Sequence, residues 1–214
     1  MKRYLFLLLG FILISCANQG SDHGITKNSY DGGHISAIEH KVKCYIYING
    51  AITPSLIPLF DGAMKDIAHR DCAQRVVMIN SPGGDIDVAM HIGREIREKG
   101  LSTDMHGSCE SACIFIYIGG VNRLVHLNHT TSGDSKFGVH QPASELLFHQ
   151  CVWDPNKFPQ IIQSISQYLA LMLPPDTAKY LKQAIFETSC TKIKYIDAQD
   201  MLSAGIATEN LDSH

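Results

Sequence analysis

Three absences narrow the field before any motif is read. No apolar run in the 214 residues reaches the roughly 20 that a helix needs to cross a bilayer, so no stable membrane span is predicted. There is no CxxC and no HExxH, and the 11 histidines are scattered rather than set at ligand spacing, which argues against a metal site. Nor is there a basic surplus. The formal net charge is −3, leaving no basic face for nucleic acid. Internal repeats, low-complexity segments and an acidic tail are missing as well.

What is present begins with a leader. Lys2 and Arg3 precede an apolar stretch from Tyr4 to Ile14, about a dozen residues, the pattern of a signal peptide. It ends in Leu13-Ile14-Ser15-Cys16, which resembles the bacterial lipobox. That resemblance implies cleavage after residue 15, lipid (palmitate) on Cys16 and a membrane anchor. Ala17 is not the aspartate associated with inner-membrane retention, so an outer-membrane anchor facing the periplasm is expected. Residues 16–36 are rich in Asn, Gly, Ser and Asp and read as the lipidated cysteine and its flexible tether. Residues 37–214 are then one domain.

Six cysteines lie beyond the leader: Cys44, Cys72, Cys109, Cys113, Cys151 and Cys190. An even number suits an oxidising compartment, although the 15 pairings open to six cysteines are not distinguished by sequence. We expect at least one disulfide and favour Cys151–Cys190, which would close a loop of about 40 residues and stabilise by roughly 3–4 kcal/mol in the chain-entropy model.

Strand and helix signals alternate. Lys43 to Ile48 is β-branched and aromatic and breaks at Asn49-Gly50; a helix follows over Thr53 to His69. A strand over Arg75 to Asn80 stops at Ser81-Pro82-Gly83-Gly84. Apolar residues then recur at Ile86, Ala89, Met90, Gly93 and Ile96, one face of a helix that Gly100 ends. A third strand starts near Ser102, an apolar run spans Ala112 to Ile118, and strand-like pieces lie at Arg123 to Leu127 and Phe137 to His140. Helices are predicted over Phe158 to Leu173 and Asp176 to Phe186, then a final strand over Lys192 to Ile196 and helix over Ala198 to Ala204. A strand about every 30 residues is the size of a βαβ unit, so the class is α/β with a mainly parallel sheet.

Three segments then fall into order: Ile79-Asn80-Ser81-Pro82-Gly83-Gly84, Gly107-Ser108-Cys109-Glu110-Ser111-Ala112-Cys113 and Val139-His140-Gln141-Pro142. Together they resemble the proteolytic subunit of Clp protease and its relatives in the crotonase-like superfamily. Tyr195 to Ile206 is similar to that family's last strand and helix, and the cysteine-flanked serine resembles an exported branch of it. The resemblance implies the Clp protease/crotonase-like fold and a serine hydrolase, a peptidase, with Ser111 and His140 as catalytic pair. Its oxyanion donors would be the amides of Ala112 and of Gly83 or Gly84, with Gly84 favoured. It also implies a peptide or protein substrate, no cofactor, and self-association into homo-oligomers through the helix at Phe158 to Leu173.

The chemistry suits those residue types. A serine hydroxyl needs a base to take its proton, and amides in a glycine turn or a helix start can meet a negative oxygen. Each residue also has a plainer reading: a turn for Pro-Gly-Gly, a helix cap for Ser111, a structural histidine for His140, and disulfide or core residues for Cys109 and Cys113. One departure from the family stands out. Ile193 occupies the place of its catalytic aspartate; Glu187, Asp197 or Glu110 could substitute, or a backbone carbonyl could hold the imidazole and leave a Ser-His dyad. The alternative is a catalytically inactive Clp-like lipoprotein serving interaction or assembly.

Overall fold

The computed structural model of the chain describes residues 23–127, 135–142, 154, 156 and 158–213. The leader, Cys16 and Cys151 lie outside the described residues. Strands are β1 (His23–Tyr30), β2 (Gly33–His40), β3 (Lys43–Gly50), β4 (Gln74–Ser81), β5 (Ser102–Glu110), β6 (Leu124–Val125), β7 (Lys136–Val139), β8 (Lys194–Ile196) and β9 (Glu209–Asn210). Helices are α1 (Leu56–Ala68), α2 (Ile86–Glu98), α3 (Cys113–Ile118), α4 (Pro159–Met172), α5 (Pro175–Glu187) and α6 (Ala198–Ser203).

A seven-stranded sheet runs in the order β1-β2-β3-β4-β5-β7-β8. Its centre, β3-β4-β5-β7, is parallel, because α1, α2 and α3 carry the chain back between successive strands. Both edges are antiparallel, β1-β2-β3 on one side and β7-β8 on the other. The α/β class and the parallel centre expected from the alternation are therefore what the chain forms.

The helices bury the faces their sequences mark. Leu56, Phe60, Ala63 and Ile67 of α1 turn inward, as do Val88, Ala89, Ile92 and Ile96 of α2. Asp85 caps α2 by accepting the Val88 amide at 3.0 Å, and Gly100 leaves its C-terminal end at φ 68°. All six residues of α3 are buried. Its C-terminal carbonyls are bound by Arg97, which donates to Ile118, Gly119 and Gly120 at 2.9–3.0 Å.

The tether expected over residues 16–36 is corrected from His23 onward, where the chain forms β1 and β2. Asp31-Gly32 is a two-residue hairpin turn closed by the Tyr30–Gly33 pair, and Ile35 and Ala37 alternate inward opposite Ile48 and Ile46 of β3. A Cβ on Gly33 would stand 2.1 Å from the Asn49 carbonyl, so the two strands approach as closely as they do because glycine is there. The polar residues that read as a linker are the turn and the edge of a sheet, and the domain begins by residue 23 rather than 37.

Two disulfides join described cysteines: Cys44–Cys72, 28 residues apart, and Cys109–Cys113, 4 apart. Chain entropy assigns about 3.5 kcal/mol to the longer loop and about 2 kcal/mol to the shorter. Cys190 is also disulfide-bonded.

Candidate active site

Parallel strands end on one edge of the sheet, and the predicted residues gather there. Glu110 of β5 pairs with Gly138 of β7, so Ser111 and His140 both leave the sheet just beyond the C-terminal ends of adjacent strands. The Ser111 amide donates to the Gly138 carbonyl at 2.9 Å, tying the serine to the strand that carries the histidine. Ser111 has φ 55°, a left-handed conformation that a residue bearing a Cβ rarely holds. It is not a helix cap: the cap position of α3 is Ala112, with no side-chain capping bond.

The glycine turn after β4 abuts this serine. The Gly83 amide donates to Ser81 Oγ at 3.1 Å, and the Gly83 carbonyl accepts from the Ile52 amide at 2.8 Å. The Asp85 amide returns to the Ile52 carbonyl at 2.9 Å. Alternate peptide groups of an extended segment face opposite ways, so the Gly84 amide faces away from Ile52 and has no acceptor among the described residues. The Ala112 amide likewise has none. Gly83 lies at φ 100° and Gly84 at φ 141°. A Cβ on Gly83 would stand 2.6 Å from Ser111 Cβ, and one on Gly84 would stand 2.2 Å from the Ile52 carbonyl oxygen. Both the conformation and the space demand glycine.

His140 is half-buried, and its Nδ1 lies 2.6 Å from the carbonyl oxygen of Gln141. A carbonyl only accepts, so Nδ1 carries a proton; in the neutral ring the lone pair then lies on Nε2, the tautomer a general base requires. Gln141 is itself fixed to the end of α5: its amide donates to Thr188 at 2.8 Å and its side chain to the Phe186 carbonyl at 2.5 Å. Ser111, Ala112 and His140 line one cavity of about 10 Å³ with Ile86 and Ile165, about the room for a single water. No hydrogen bond joins Ser111 to His140 in this cavity. Ile86 and Ile165 are shared with an adjoining cleft of about 550 Å³ that Gly84, Thr53, Met90 and Ile161 also line.

The carboxylates considered for the third role are engaged elsewhere. Glu187 accepts from Gln183 of its own helix at 2.8 Å, at the exposed surface. Asp197 caps α6 by accepting the Asp200 amide at 2.7 Å. Glu110 accepts from the Tyr195 hydroxyl at 2.8 Å, a bond that raises the tyrosine's pKa. Ile193 packs beside β7, its Cγ2 standing 2.6 Å from the place of a Cβ on Gly138, so hydrocarbon fills that position. The group on the imidazole is the Gln141 main chain, which no residue type announces.

No protein-family model matches the sequence, and no curated protein matches it. Solved structures do. ClpP1 from Listeria monocytogenes superposes with a TM-score of 0.59 at 17% identity, covering 79% of this chain and 92% of that one. A membrane-bound stomatin-specific protease gives 0.57 at 15%, covering 77% and 76%. An enoyl-CoA hydratase from Mycobacterium marinum gives 0.54 at 14%, covering 82% and 76%. The chain has the Clp protease/crotonase-like fold. Within that fold, proteases and a coenzyme A enzyme share one backbone, so the chemistry rests on the site and not on the architecture. Among the described residues of this crotonase-like domain, no group of three or more His, Cys, Asp or Glu is placed to hold a metal ion, and no helix is long and apolar enough to cross a membrane.

A third cavity of the domain, about 460 Å³, is lined by Asp104 and His126, apart from Ser111 and His140. There His126 Nε2 lies 3.3 Å from Asp104 and its Nδ1 3.4 Å from Asp212. Burial pushes the Asp104 carboxyl above the usual carboxylate range, and the His126 charge partly opposes that shift.

Proposed function

We propose that the chain is a serine hydrolase acting on peptide bonds, with Ser111 as nucleophile, His140 as general base and the amides of Gly84 and Ala112 as oxyanion donors. The observation that carries the reading is the left-handed Ser111 turn, set between two amides without acceptors and beside an imidazole whose Nδ1 is held by a carbonyl. His140 Nε2 takes the Ser111 proton as Oγ bonds to the substrate carbonyl carbon. The oxygen gains its negative charge between the two amides. The C–N bond then breaks as the histidine returns the proton to the leaving amine, and water releases the acyl group by the same steps. This sequence needs no cofactor. The apolar side chains of Ile86, Met90, Ile161 and Ile165 suit the cleft to an extended peptide. Losing an orienting carboxylate can lower turnover by about 10⁴, so slow hydrolysis is expected.

A fluorophosphonate probe tests the reading. It should label Ser111 of the purified domain, fail on Ser111→Ala and react far more slowly with His140→Ala. A folded wild-type protein that resists the probe across about pH 6 to 9, where histidine is neutral for at least part of the range, would sink it. The missing Ser111–His140 hydrogen bond favours the second reading, a silent interaction or assembly protein.

The leader supports an exported, lipid-anchored protein on the periplasmic side of the outer membrane, beginning at Cys16. Mass spectrometry of the native amino terminus tests this, and an unmodified terminus beyond residue 16 would refute it. Self-association is proposed from the likeness to ClpP1 and from Leu171 of α4, which is 64% exposed. Sedimentation of the purified domain as a monomer at micromolar concentration would count against it.

A further inference from the structure

Ser111 keeps a backbone conformation that relaxes unless its surroundings hold it. Two main-chain hydrogen bonds contribute: the Ser111 amide to Gly138 at 2.9 Å, and the Ile114 amide to the Ser111 carbonyl at 3.2 Å. Contact from the Gly83 turn contributes a third constraint. The fourth is covalent. Cys109, the second-last residue of β5, is bonded to Cys113, the first residue of α3, with their Cα atoms 5.2 Å apart. The loop so closed contains three residues, Glu110, Ser111 and Ala112, two of which are the nucleophile and an oxyanion donor. Both cysteines are 0% exposed, so each end of the bridge is fixed by packing. A loop this short removes less freedom from the unfolded chain than the 28-residue one, so local geometry makes up more of its effect.

We propose that the Cys109–Cys113 disulfide is a positioning element of the catalytic site: it holds Ser111 in its left-handed turn and the Ala112 amide at the oxyanion position, so that full reactivity needs the oxidised chain. The inference rests on the serine-hydrolase reading and adds to it a requirement for thiol oxidation. The bond forms when two thiols lose two protons and two electrons to a disulfide oxidant, which leaves as two thiols.

The test compares fluorophosphonate labelling rates of wild type, C109A/C113A and C44A/C72A, each below its own melting temperature. The Cys44–Cys72 bridge lies outside the nucleophile turn, and its larger loop makes its loss the greater insult to stability. C44A/C72A should therefore melt lower yet label within about twofold of wild type, since the reacting groups are untouched. C109A/C113A should keep its circular dichroism and lose about 10²-fold in maximal labelling rate, as expected of a nucleophile displaced by an ångström. The half-saturating probe concentration and the midpoint of the pH profile should stay where they are, because probe binding and His140 are unchanged. If C109A/C113A does not fold, Cys109→Val with Cys113→Ala refills part of the volume and is read in the same way. A folded variant that labels at the wild-type rate overturns the inference, as does an equal fall in both double variants. Wild-type protein that is not labelled at all overturns the hydrolase reading, and this inference with it.

Discussion

At His140 the group on the imidazole is a main-chain carbonyl, the alternative to Glu187, Asp197 and Glu110 that the sequence left open. The bond to Gln141 sets the tautomer of the neutral ring but adds no negative charge to stabilise the imidazolium that would form if Ser111 gave up its proton there, as proposed. Glu187→Gln, Asp197→Asn and Glu110→Gln should each label with fluorophosphonate within about twofold of wild type, because none of the three carboxylates is bonded to the imidazole and asparagine still caps a helix. A tenfold fall in any one would name it as the orienting group. Gly84→Ala should lower the labelling rate by about 10²- to 10³-fold, the measure of one oxyanion donor. Its Cβ would strike the Ile52 carbonyl and move the turn. Labelling of a folded Gly84→Ala protein at the wild-type rate would remove that amide from the site.

Among the elements, the β1–β2 hairpin connects the amino-terminal edge of the sheet to the Gly83-Gly84 turn. Its tip is bound to residues 51–55: the Tyr30 hydroxyl donates to the Ala51 carbonyl at 2.9 Å, and Asp31 accepts from Thr53 at 2.6 Å and from Ser55. The next contact is Ile52 with Gly83 and Asp85, so the hairpin braces the segment that shapes the glycine turn. Strand β2 is paired on both sides, and its amides should exchange with solvent deuterium as slowly as those of β3. Exchange of the Ile35 and Ala37 amides at the rate of an unstructured peptide would restore the tether. Tyr30→Phe should cost about 1 kcal/mol in denaturant unfolding through the lost bond to Ala51. An unchanged midpoint would mean that the hydroxyl contributes nothing there.

For the molecule as a whole, the ionisable region apart from Ser111 and His140 has its own consequence. The Asp104–His126–Asp212 cluster joins β5 to the segments around β6 and the carboxy terminus, and it affects stability. Asp104 has a raised pKa in the folded state because burial disfavours its charge. The folded chain thus binds that proton more tightly than the unfolded chain. Its stabilising contribution is fully present below the ordinary carboxylate pKa of about 3.9 and is lost as pH rises through the folded value. Asp104→Asn keeps an acceptor for the Met105 amide, now 2.8 Å from Oδ1, and removes the charge. Measured by denaturant unfolding, the variant should gain stability relative to wild type as pH rises above about 4. A difference that is flat or falls over that range would contradict the assignment.

Local chemistry made several features legible in the sequence: the β3-to-α2 alternation, the buried face of α2 and its Gly100 stop, and the Pro-Gly-Gly turn. Each is a matter of side-chain type and spacing within one or two elements, where the periods of strand and helix act directly. The same reasoning failed at residues 23–36, because an edge hairpin and a linker share a composition; pairing with β3 and burial of Ile35 and Ala37 decide between them. It also left the partners of Cys44, Cys109 and the His140 imidazole open. Those depend on distances across the fold: the β5–β7 register that sets Ser111 beside the histidine strand, the return of β5 into α3 that brings two cysteines together, and the anchoring of Gln141 to the end of α5. A backbone carbonyl has no residue type of its own, so only the folded chain could assign it to the imidazole.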